Sequence, residues 1–202
     1  RGPEIEVDFL PWRPNEIRLR FPGTHRIDLD TADAARTLTL EIDSAGAVVR
    51  RDTGSAARTL TLNLSALTVP RPGTGSPAGV EHLTVTIEAA PQAASGDDRG
   101  ASARLMVKLR GLTLPGESRP ALGRRIDSLA LDAAVMGYLA AGPLRETLAA
   151  WRDEGGTIEL ARLNLVWSDL VLDADGSLAL DAEMQLMGAI TARITGFRQT
   201  VD

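Results

Sequence analysis

The chain has 202 residues, 44% hydrophobic and 24% charged, which suffices for a globular core and argues against a disordered or fibrous polymer. A formal charge of -5 with Lys108 as the one lysine excludes a general nucleic-acid binder, because neutralising phosphates takes clustered cations. Cysteine is absent, so disulfide frameworks, thiolate metal sites and cysteine nucleophiles are excluded as well.

From the N-terminus onward, apolar residues recur at every second position: Ile17, Leu19 and Phe21, then Leu38, Leu40 and Ile42. The same spacing returns in Leu60, Leu62 and Leu64, in Leu83, Val85 and Ile87, and in Leu105, Val107 and Leu109. A period of two places such residues on one face of a strand. Mostly Thr, Arg, Glu and Asp stand between them, so each strand has one apolar and one wet face, the pattern of antiparallel sheet. Ser44-Ala45-Gly46, between Ile42 and Val48, has the form of a three-residue hairpin loop.

Thr31 to Ile42 returns as Thr53 to Leu64 after a shift of 22 residues. The repeat reads either as successive like-oriented strands of a meander or as the shared composition of amphipathic strands. Residues 70–77 and 91–100, dense in Pro, Gly and Ser, read as loops. A helix is expected over 143–154: Pro143 suits its first position, Leu144, Leu148 and Trp151 form a stripe, and Gly155-Gly156 ends it. Further on, Leu172 to Leu178 reads as a hairpin whose loop, 174–176, holds Gly176 in a left-handed conformation. Leu178 and Leu180, then Ile190, Ala192 and Ile194, complete the strand pattern.

Motifs for chemistry lack their contexts. Asp52-Thr53-Gly54-Ser55 matches the short aspartic-protease signature, but Arg50 and Arg51 precede it and no second copy supplies the partner carboxylate. Asp173-x-Asp175-Gly176 resembles part of a calcium loop without its Gly and Glu positions. His25 and His82 lie far apart with no zinc spacing, no Gly-x-Ser-x-Gly elbow exists, and Gly73-x-Gly75 lacks the strand-to-helix setting of a phosphate cradle. The reading is therefore not an enzyme: no catalytic residue, metal or cofactor is assigned.

The run Leu148 to Leu160, with Leu163 to Trp167 and Gly176 to Asp181, resembles domain-of-unknown-function family 2125 of alphaproteobacterial envelope proteins. Trp12-Arg13-Pro14-Asn15 and Pro22-Gly23-Thr24-His25 resemble its N-terminal portion, and Gly188 to Phe197 its C-terminal portion. The β-rich body is also distantly similar to AsmA-type envelope proteins. The resemblance implies an N-terminal hydrophobic anchor, here missing, ahead of a domain outside the cytoplasm, so a periplasmic location at the inner membrane is expected. It carries no functional residues.

The expected fold is mainly β (α+β): a large curved antiparallel sheet or sandwich with one main helix packed on it. It forms a single domain over 1–202, or two β halves joined near 91–123. The expected function is binding of lipid or another hydrophobic ligand in an apolar groove that includes Leu40, Leu62 and Val107. The alternative is a structural or protein-interaction module of the envelope, with exposed edges or loops meeting a protein partner.

Overall fold

The computed structural model describes residues 5–21, 25–30, 37–53, 57–69, 76–89, 100–116, 121–140 and 142–196, without the side chains of 25–30, 37–40 and 144. Its elements are β1 (Glu6–Phe9), β2 (Glu16–Phe21), β3 (His25–Asp30), β4 (Thr37–Arg51), β5 (Arg58–Val69), β6 (Ala78–Ala89), β7 (Ala101–Thr113), β8 (Arg125–Met136), α1 (Leu144–Asp153), β9 (Thr157–Trp167), β10 (Leu170–Leu180) and β11 (Leu186–Thr195). The alternating segments all became strands, and they are long: β4 runs 15 residues, β7 13 and β10 11. Typical strands have about 5–6.

All strands join one eleven-stranded sheet in the order β1-β2-β4-β5-β6-β7-β8-β9-β10-β11, with β3 paired to β4 beyond the end of β2. Every ladder is antiparallel. The mainly β reading with one helix holds, but the expected curved sheet or sandwich does not. The sheet is open, neither closed nor strongly curled, and among the described residues every strand belongs to it. Alternation dictates which face is apolar; curvature comes from stagger and bulges, which alternation does not encode.

Two predicted turns lie inside strands. Ser44-Ala45-Gly46 is paired in mid-β4, where Ala45 faces Phe21 on one side and Leu64 on the other. Gly176 is paired in mid-β10, and no left-handed conformation is found there. Its role is close approach: a Cβ would come within 2.9 Å of the Ile190 Cα. Because β4 does not turn at 44–46, the two repeat copies that reach β4 and β5 lie on adjacent antiparallel strands rather than like-oriented ones.

One transverse row interrupts the alternation. Asp43, Ala66, Glu81, Gly111 and Asp127 drop out of the ladders, which resume beyond them without a change of register. Apolar positions step by three across it, from Leu64 to Leu67 and from Leu109 to Leu112. Ala66 (φ 51) and Gly111 (φ 64) take the left-handed conformation that resets the alternation. The Glu81 side chain crosses Gly111 to form a bidentate pair with Arg125, at 2.6 and 3.0 Å, so a Cβ at this left-handed position would be strained and would displace that carboxylate.

The helix seats at the end of the sheet. Trp151, 2% exposed, donates from Nε1 to the carbonyl of Met136, the last residue of β8, at 2.7 Å, and its ring lies against Gly137 and Gly156. Arg152 Nη1 donates to the Asp181 and Ala182 carbonyls in the β10–β11 connection. Pro143 stands just before the first helical residue. Among the described residues, no helix is long and apolar enough to cross a membrane.

Candidate functional site

The strand registers assemble the apolar stripes into continuous rows. One row reads Val7, Leu19, Ala47, Leu62, Val85, Val107, Leu131, Leu163, Ala174 and Ala192, ten strands with no polar side chain. At about 4.8 Å per strand it extends about 43 Å. A neighbouring row begins Phe9, Ile17, Val49, Leu60 and Ile87 and continues through Leu105, Ala133 and Leu160. On the opposite face, polar pairs bond across strands. Thr84 Oγ1 donates to Asn63 Oδ1 at 3.0 Å, Arg104 Nε to Asp132 Oδ1 at 2.9 Å, and Asn164 Nδ2 to Asp173 Oδ1 at 2.7 Å.

The apolar face is covered unevenly. Ala133, Leu160 and Ala174, on β8 to β10, are buried. In contrast, Phe9, Ile17, Val49, Leu60 and Ile87 are between 38% and 58% exposed. Exposed apolar residues scattered singly are ordinary; a contiguous row of them marks an interaction surface.

Leu62 and Val107 lie in one row with Val85 between them, about 10 Å apart by strand spacing. Leu40 pairs with Ile27 on the other side of the irregular row, and its side chain lies outside the described ones. An open cleft of about 430 Å³ borders that row, lined by residues including Ser65, Leu67, Glu81, His82 and Thr113. Its lining mixes polar and apolar groups.

The catalytic motifs stay unassembled where the structure describes them. Asp52 is exposed, and its amide is bonded to the Ala57 carbonyl in the β4–β5 turn. Asp173 and Asp175 are strand residues of β10. Ser65 Oγ lies 3.4 Å from His82 Nδ1, but across from His82 on the next strand stands Arg110, where a triad would place an orienting carboxylate. Among the described residues, no group of three or more His, Asp or Glu is placed to hold a metal. His25 pairs with Ile42, and its side chain is outside the described ones.

A feature missed in the sequence is the carboxylate of Glu16, only 3% exposed. It accepts from Arg18 Nε at 2.6 Å and Arg50 Nη2 at 2.8 Å, with Arg13 Nη1 at 3.8 Å. The bonds from Arg50, then Arg18, hold its pKa below the ordinary 4.5. Arg125 does the same for Glu81. The cluster depends on β2 lying beside the far end of β4, a register that spacing along the chain does not reveal.

Over residues 1–202 the chain matches a family described as uncharacterized protein conserved in bacteria (DUF2125). It belongs to this family. Comparison with curated proteins and with solved structures gives no match. Family membership thus supplies no substrate or reaction, and the residues of DUF2125 in this chain have to be read from their own geometry.

Proposed function

We propose that this domain binds a lipid or another hydrophobic ligand on the uncovered apolar face of its sheet. The observation that carries the reading is the ten-strand row through Leu62, Val85 and Val107, apolar from edge to edge, beside the exposed row from Phe9 to Ile87 and with no second sheet among the described residues. Apolar surface of this extent is costly in water, and each CH₂ of an acyl chain laid on it contributes about 0.8 kcal/mol. The ligand rests on an open face, not in the trough that a curved sheet would form. The periplasmic setting at the inner membrane belongs to the same proposal and draws on the resemblance to anchored envelope proteins.

Native mass spectrometry of the protein purified from bacterial membranes tests this. Co-bound lipid is expected, and it should be lost in the Leu62→Glu, Val107→Glu double variant while circular dichroism still reports a β fold. A lipid-free wild-type protein, or a variant that retains lipid equally well, contradicts the proposal.

A second reading, a protein-interaction module, has its own observation. All ten residues of the edge strand β11 are exposed, including Leu186, Met187, Ile190 and Ile194. Such an edge can pair with a strand of a protein partner.

A further inference from the structure

We propose that the end of the sheet formed by the β1–β2 turn and the β4–β5 hairpin docks on an anionic phospholipid surface. Three observations meet there. Arg51 and Arg58 stand directly opposite each other across β4 and β5, both exposed, and among the described residues neither meets a carboxylate. Like charges placed opposite each other in a ladder repel, and an anion between them relieves this.

By strand alternation these arginines share a face with Val49 and Leu60, whose row of exposed apolar residues on β1, β2, β4, β5 and β6 spans about 19 Å. Trp12, 75% exposed, lies in the β1–β2 turn at the same end, which Asn15 ties to Arg51 by hydrogen bonds of 2.8 and 2.9 Å. Tryptophan and arginine beside an apolar strip match the boundary of a bilayer, where acyl chains meet phosphates.

Charge selects the occupant. Residues 5–21 and 45–58 carry six arginines against four carboxylates, in a chain whose net charge is -5. A protein partner could bury the apolar row, but the unneutralised arginines call for a surface rich in phosphate. Docking concerns contact with the bilayer and does not rest on a retained ligand.

Vesicle flotation of the full chain tests it, comparing phosphatidylcholine alone with a 3:1 mixture of phosphatidylcholine and phosphatidylglycerol. Binding is expected to the mixture at least tenfold above the neutral vesicles, and to weaken with salt. The Arg51→Glu, Arg58→Glu variant should lose at least tenfold, whereas Lys108→Glu, a charge reversal at an exposed position on the polar face, should keep most of it. Brominated lipid should quench wild-type tryptophan emission, and quenching should largely vanish in Trp12→Phe while flotation persists. Equal binding to both vesicles, no binding, or indifference to the arginine reversal overturns the proposal. So does quenching that survives Trp12→Phe.

Discussion

Glu16 shows how a single carboxylate can tie neighbouring strands of a sheet together. Its oxygens hold Arg18 on its own strand and Arg50 on β4, and both bonds require the ionised form. Because its pKa is lowered on folding, the stability it adds is full above its ordinary value of 4.5 and is lost as the pH falls through the folded value. Glu16→Gln should therefore lower the melting temperature at pH 7, with the gap to wild type closing as the pH drops below 4.5. Melting curves across pH check this; a gap that stays constant would show that the ion cluster is not the cause. At this scale the sequence was least informative. Nothing in the sequence around Glu16 marks its partner on β4, and Arg51 and Arg58 stand seven positions apart in the chain yet face each other across a ladder.

Among the elements, α1 was legible because Pro143, the Leu/Trp stripe and Gly155-Gly156 act locally. A ten-residue helix is marginal alone, so its persistence depends on Trp151. Trp151→Ala removes a fully buried side chain and leaves the Met136 carbonyl without its donor, an expected loss of about 3–5 kcal/mol. Urea unfolding measures the loss, and hydrogen exchange over 144–153 should rise before that of β7 and β8. Unchanged exchange there would mean that other contacts hold the helix. The strands were legible as faces but not as lengths. Asp175-Gly176 and Ala45-Gly46 carry turn chemistry, yet flanking pairing on both sides keeps β10 and β4 extended through them. Local turn preference of about 1 kcal/mol yields to a ladder bonded along both edges.

At the scale of the molecule, period two announced an apolar and a polar face, and the register aligned these into rows that no single strand reveals. Curvature was misjudged because it depends on how neighbouring strands stagger, which leaves no mark on the alternation of any one of them. The central claim is an apolar face without a protein layer over it, and the absence of native cysteine makes it directly measurable. Val85→Cys, in the middle of the row, should react with a small maleimide in lipid-stripped protein at a rate close to that of an exposed control at Lys108→Cys on the polar face, and should be protected when lipid is restored. A Val85→Cys thiol that stays unreactive after stripping, in protein still folded, would mean that the protein covers this face itself and would contradict the account.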